Sequence, residues 1–269
     1  MFRYPADRLP VLLILALTAI DFTVYFTIDG AWLLFGYLLL TLSFKGVICA
    51  WHHHHQHTMT FRFTILNRAL EFCYALHTGV TTNLWVLHHV LGHHHNYLDQ
   101  AKDESRWQRR DGSCMSALEY SVKVAATAYY RGYQVGKKHH KAQRAFLIFG
   151  LLTFAAVLLL FYMRPLPALF VFIIPMVFSL VFTAWVTYDH HSGLDTDNPF
   201  EASYNNTSRW FNILTGNLGY HTAHHYKQGI HWSKLPELHE KIKANIPSHL
   251  YRKSTFDFGF LLKSASSAG

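Results

Sequence analysis

The sequence predicts an all-α membrane protein: four transmembrane helices, paired as two hairpins, carry a cytosolic helical cap that holds a His-rich site for two metals. Three observations lead there. Four apolar stretches reach spanning length, only 15% of residues are charged, and 21 histidines stand against 16 carboxylates in 269 residues. A composition that is 51% apolar excludes disorder, collagen and coiled coil. Mean hydropathy of +0.08 is nevertheless too low for a chain lying wholly in lipid, so a substantial polar part must accompany the spans. Cys49, Cys73 and Cys114 are isolated from one another and form no C-x-x-C pair, which excludes a disulfide framework and a cysteine metal site.

A spanning helix needs about 20 mainly apolar residues. Residues 9–28 qualify, interrupted by Asp21, and residues 31–51 follow with Lys45 near their end. Asp29 and Gly30 leave room only for a tight hairpin between these two. Residues 145–163 carry no charge, and neither do residues 166–188, which contain Pro167 and Pro175. Arg164 and Pro165 turn the chain between them, and a kink near Pro175 would suit a substrate cavity. Of the 24 Lys and Arg residues, Arg164 alone falls at a hairpin tip. Because positively charged loops stay cytosolic, both termini and the long polar segments are expected on that side. The first span is expected to be retained, since the second follows at once.

The remainder, residues 52–144 and 189–263, reads as the cap of one domain covering 1–269. Within it, residues 58–92 recur at helical spacing with interspersed Arg62, Arg68 and Glu71. That pattern fits an interfacial or re-entrant helix better than a fifth span, which would reverse everything downstream. Turn signals at Ser192-Gly193, Asn198-Pro199 and Gly216-Asn217 mark the second cap segment, and Ser264 to Gly269 reads as a frayed tail.

The histidines cluster where the apolar segments end: His52 to His57, His88 to His95, the pair His190-His191, and His221 to His225. Residues at i, i+3 and i+4 share one helix face, so each cluster can present two or three imidazoles to one point. Imidazole suits iron, copper, zinc and nickel alike. A catalytic zinc takes about three protein ligands, and eight or nine histidines exceed that, which implies two metals. No cluster contains an internal carboxylate, so Asp99, Asp103, Glu104, Asp189, Asp195 and Asp197 are expected to act behind the imidazoles, accepting from their free N–H groups. About half of the histidines in the runs are expected to be mere solvated or packing residues.

These residues resemble the membrane fatty acid desaturase and hydroxylase superfamily, whose three histidine boxes read H-x(3,4)-H, H-x(2,3)-H-H and H-x-x-H-H. His53 and His57 give the first box, with His52 as the alternate at the longer spacing; His89, His93 and His94 give the second; His221, His224 and His225 give the third. The second box, with Gly92 before its His pair, is also similar to that of the integral-membrane alkane hydroxylases. Thr187 to Gly193 is similar to their N-Y-x-x-H-x-G segment, which points to His191 as a ninth ligand and His190 as the alternate. Thr187 stands where that pattern has Asn. The flanks of the third box, Asn217 to Tyr220 and His231 to Pro236, look like bacterial fatty acid desaturase sequence. The resemblance implies a non-haem centre of two Fe ions that uses O2 to remove hydrogen from an unactivated C–H bond.

That chemistry needs an oxidant no side chain provides, so the metals carry it while the protein positions the chain. A membrane lipid or fatty acyl substrate would enter from the bilayer into a channel lined by aromatics such as Trp85, Phe178 and Trp185. Arg106, Arg109, Arg110, Lys137, Lys138 and Lys141 concentrate the net charge of +8 in the cap. They suit anionic lipid, or an acidic electron donor. Neither His-Pro-Gly-Gly nor paired Cys-x-x-Cys occurs, so a separate ferredoxin, rubredoxin or cytochrome-type donor is expected, and no nucleic acid. Desaturation is the first reading, with hydroxylation and decarboxylation to a terminal alkene as alternatives on the same centre. A divalent-metal transporter would instead place ionisable residues inside paired spans, where only Asp21 comes close. A bacterial inner membrane is expected over endoplasmic reticulum.

Overall fold

Long apolar runs free of helix breakers give long helices, and the computed structural model, which describes residues 1–252, is built from them. In chain order these are α1 (Arg8–Thr27), α2 (Ala31–His57), α3 (Thr64–Thr78), α4 (Ala117–Gly136), α5 (His140–Met163), α6 (Pro165–Ala168), α7 (Ile174–His191), α8 (Arg209–Thr215), α9 (His221–Tyr226) and α10 (Leu235–Ile242). Two π-helical segments, Val86–His94 and Leu169–Ile173, complete the frame, and the described residues contain isolated bridges but no strand. The tail predicted from Ser264 onward lies outside the described residues.

Four helices are long and apolar enough to cross a membrane: Pro5–Thr27, Ala31–His57, His140–Met163 and Pro165–His191. Their outward faces carry the residues lipid would cover, among them Leu12, Trp32, Leu40, Leu151 and Leu158. The two hairpin tips are tied together, since Arg164 donates to the Tyr25 carbonyl and pairs with Asp29. The fourth span is continuous through its prolines. Pro175 sits in the first turn of α7, directly after the π-helical segment that takes up the break in hydrogen bonding.

Three span ends differ from the sequence reading. α2 does not stop near residue 51 but runs on to His57, α7 reaches His191, and α5 begins at His140. Histidine is a modest helix former, yet His52 to His55 and Gln56 are all buried, and the packing that buries them extends the helix.

α3 is re-entrant. Its Leu76, fully buried, belongs to one core cluster with Tyr25 of α1, Leu34 of α2, Val157 of α5, and Phe172 and Met176 of the fourth span. Gly79 ends the helix in the left-handed region, at φ 68°, and a Cβ there would lie 2.5 Å from the Met176 carbonyl oxygen. Only glycine allows so close a turn. The chain then climbs back through Val86–His94, against which α4 packs while also lying along α7.

Beside this path lies a buried ionic knot. Lys45 Nζ is 2.8 Å from Asp21 Oδ2 and donates to the Val171 carbonyl at 2.7 Å. His77 Nδ1 approaches the same carboxylate at 3.2 Å, and the Tyr37 hydroxyl donates to its other oxygen at 2.6 Å. The knot fastens α1, α2, α3 and the second π-helical segment to one another. Asp21, the ionisable residue that a transporter would need, is thus fully engaged inside the bundle.

Candidate metal centre

Three helix ends and one π-helical segment deliver their histidines to one place. His53, His57, His89, His94 and His224 each offer a nitrogen, all within 4.8 Å of one another, and His93, His191 and His225 form a second such group. The groups touch, because the rings of His94 and His225 stack at 4.1 Å. His221 stands outside both groups, yet its Nε2 lies 3.0 Å from Nε2 of His191. All nine histidines drawn from the boxes and the segment before the third box therefore meet around one point.

The neighbouring histidines of the runs are used otherwise. His52 stacks flat on Tyr74 at 4.5 Å and bonds Thr78 Oγ1 through Nδ1, so it faces α3. His54 donates to the Thr215 carbonyl, and His55 contacts Thr60 and Glu71. His190 stacks on His221 at 3.9 Å with its Nδ1 toward the Tyr204 carbonyl. His95 is exposed.

The nitrogens face one another in a way that hydrogen bonds alone cannot satisfy. His89 Nε2 lies 2.8 Å from His53 Nε2 and 3.0 Å from His94 Nε2, while His53 Nε2 also lies 3.1 Å from His57 Nε2. A neutral imidazole has one donor and one acceptor, so such a set has too few protons to link every neighbour. In the second group, His93 Nδ1 donates to Asp103 and His191 Nδ1 to the Ala202 carbonyl. That leaves His93 Nε2 buried without a partner, and both nitrogens of His225 are in the same condition. Shared cations would satisfy these lone pairs, and the donor set of imidazoles fits iron. Burial first, and then the neighbouring imidazoles, hold His94, His224 and His225 well below the usual histidine range. That shift favours the neutral ring, the form in which imidazole binds a metal.

Of the six acids expected behind the imidazoles, Asp103 alone bonds a ring of this cluster. Asp99 pairs with Lys102, Asp189 with Arg252, and Asp195 accepts from Gln108.

A cavity of about 270 Å³ runs against the first group. His53, His89, His190 and His221 border it, and Ser43, Gly46, Val47 and Ala50 of α2 face Phe178, Phe182, Val186 and Thr187 of α7 along its length. Trp85 and Phe178 line it as the sequence suggested, whereas Trp185 packs on Phe182 outside the lining. His88 lines it too, and the sequence reading passed over this residue, since nothing in the spacing separates it from His89.

A family profile described as fatty acid desaturase matches residues 30–256. The chain belongs to the fatty acid desaturase family. Searches of curated proteins and of solved structures find no match. The family match covers all three histidine boxes and all four elements that carry the clustered imidazoles, and it supports a desaturase-like or related hydroxylase-like function.

Proposed function

We propose that this protein is an O2-dependent di-iron enzyme of the membrane that removes hydrogen from an unactivated alkyl chain. Desaturation of a fatty acyl substrate is the first reading; hydroxylation, or decarboxylation to a terminal alkene, would use the same centre. The observation that carries the proposal is the contact between an apolar cavity and a cluster of buried imidazoles. His53, His57, His89, His94 and His224 would hold one iron and His93, His191 and His225 the other, with His221 as the ninth ligand. The bound irons supply the oxidising power that side chains lack. The chain's own residues do the rest: Asp103 fixes the His93 ring, and the α2–α7 walls hold the substrate in a dry, apolar space.

The distribution of Lys and Arg supports termini and cap on the cytosolic side. We assign the protein to a bacterial inner membrane. Exposed Arg110, Lys137, Lys138 and Lys141 suit an acidic electron donor of ferredoxin, rubredoxin or cytochrome type.

Metal analysis of the protein purified in detergent tests this reading. About two irons per chain, lost in His224→Ala, are expected from the count of imidazoles. One zinc, or metal indifferent to His224→Ala, would overturn it. Product analysis with a reductant and candidate fatty acids then separates desaturation from hydroxylation and decarboxylation.

A further inference from the structure

The cavity beside the histidines has a closed side and an open one. Trp85, His88, Ser105, Val124 and Ala184 line it and are all buried, whereas Ser43 is exposed and Phe178 and Leu214 are 38% and 37% exposed. A chain sliding in from the open side arrives with its leading end between Trp85, His88 and the metal-binding rings of His53 and His89.

At that closed side three buried polar atoms have no hydrogen-bond partner: Trp85 Nε1, His88 Nδ1 and His88 Nε2. The two rings are 6.0 Å apart. Neither residue belongs to a histidine box or to either imidazole group. Indole N–H can only donate, and a neutral imidazole brings one more donor, so the complement of this pair is an oxygen acceptor and not a hydrocarbon. Leaving such donors unpaired carries a free-energy cost that an incoming acceptor would remove at the indole N–H and at the one imidazole N–H.

We propose that Trp85 and His88 form the receptor for the carboxyl group of a free fatty acid, which lies head-first in the cavity with its tail toward Ser43 and Phe178. This deepens the proposed function and rests on it. Ser105, Val124 and Ala184 on that side are all buried, and a cavity of about 270 Å³ is too small to take in a phospholipid headgroup or a large thioester carrier ahead of the chain, so a substrate that enters head-first has a small head. The C–H bonds nearest the carboxyl group are then the ones presented to the imidazole cluster. The reverse orientation would press a methyl group against three unpaired polar atoms and leave the carboxylate beside Phe178 and Leu214. That arrangement loses at both ends.

Photo-crosslinking of the full chain in lipid nanodiscs reads the orientation without requiring turnover. Two analogues of dodecanoic acid are used, one with a diazirine beside the carboxyl group and one with it at the methyl end, and labelled peptides are mapped by mass spectrometry. The carboxyl-end probe is expected to label residues 85–94, and the methyl-end probe α2 near Ser43 or α7 near Phe178. His88→Phe and Trp85→Phe should each lower carboxyl-end labelling by about tenfold, the effect of one lost hydrogen bond to a charged group. Labelling of residues 85–94 by the methyl-end probe, with the carboxyl-end probe at the mouth, would overturn the orientation and leave the proposed substrate class standing. Labelling of the cavity by neither probe would overturn both. The two-probe comparison in the unmodified protein decides the matter even if a variant fails to fold.

Discussion

Nδ1 of His93 lies 2.8 Å from Oδ1 of Asp103 and 2.9 Å from Oδ2, and both side chains are buried. A carboxylate can only accept here, so His93 must carry its hydrogen on Nδ1 and turn the lone pair of Nε2 toward His191 and His225, whose rings are 4.8 Å and 5.1 Å away. Asp103→Asn keeps the shape but offers an amide that can present the wrong group. Metal affinity in a chelator competition should fall by about 10–100-fold, as for other carboxylates that orient ligating histidines. An unchanged affinity would mean that Asp103 serves only the loop around it, where it also caps the Ser105 N–H.

His52 and His53 are neighbours with opposite duties. His52 is sandwiched against Tyr74 and Thr78, while His53 reaches His57 and His89. Replacing His52 by Gln should cost roughly 1–3 kcal/mol of stability through the lost stack and the orphaned threonine, yet leave the metal content intact. His53→Ala should do the reverse and strip metal. Equal metal loss in both variants would show that the first box uses the longer spacing after all.

Inside the bundle, Lys45 and Asp21 are both fully buried and 2.8 Å apart. Removing one partner leaves the other buried without its counter-charge, with only hydrogen bonds from Tyr37 and His77 for Asp21 or to the Val171 carbonyl for Lys45, so Asp21→Asn or Lys45→Met alone should destabilise the protein by about 3–5 kcal/mol. The double replacement Asp21→Leu with Lys45→Met should recover most of that loss. Thermal unfolding in detergent distinguishes the cases, and additive losses in the double variant would refute an ion pair in favour of two separate packing roles.

Much of this architecture was legible in the residues, and the parts that were not share a cause. Uninterrupted apolar runs announce spans because no other environment accommodates them. Clustered imidazoles announce metal because so many neutral bases need a shared cation. Periodicity, however, gives the face of a helix and not what it packs against, so spacing alone does not show that Leu76 of α3 lies among residues of all four spans. Adjacent residues on a helix point about 100° apart, so His52 against His53, or His88 against His89, is decided by packing that spacing does not encode. The knot of Asp21, Lys45 and His77 draws its members from three separate elements, and the sequence carries no mark of their meeting.

The cap contains a titrating group away from the histidine cluster. His239 of α10 is 3% exposed, lies against the rings of Tyr220 and Tyr251, and has its pKa lowered chiefly by burial. A histidine with a depressed folded pKa takes up its proton more readily when unfolded. Its contribution is therefore complete above the unfolded value near 6.5 and is lost as pH falls below it. Glu240, which favours the charged ring, and Lys243, which opposes it, leave that sign unchanged. Hydrogen exchange in α9 and α10 should accelerate as pH falls from about 7 to about 5, beyond the intrinsic chemical trend. His239→Phe should flatten this response; an identical response in the variant would assign the acid sensitivity elsewhere.

Gly46 of α2 meets Phe182 of α7 in the cavity wall, where the two form a pinch. A Cβ on Gly46 would lie 3.2 Å from Cε1 of the Phe182 ring, tighter than an ordinary contact, so even alanine would push the ring into the space between α2 and α7. Gly46 is seven residues before His53, about 10 Å along the helix, so the pinch lies well beyond the reacting carbon. Gly46→Val should leave the metal content unchanged while lowering kcat/KM for long chains by roughly 10–200-fold, the range of discrimination that a methylene or so in an apolar pocket gives. Chains short enough to end before the pinch cross it only on entry and should lose less than long ones, which occupy it when bound. Phe182→Ala in the same background should restore the long chains, since it removes the ring that valine displaces. If Gly46→Val instead lowered activity on short and long chains alike, the pinch would be part of the helix packing and not a measure of chain length.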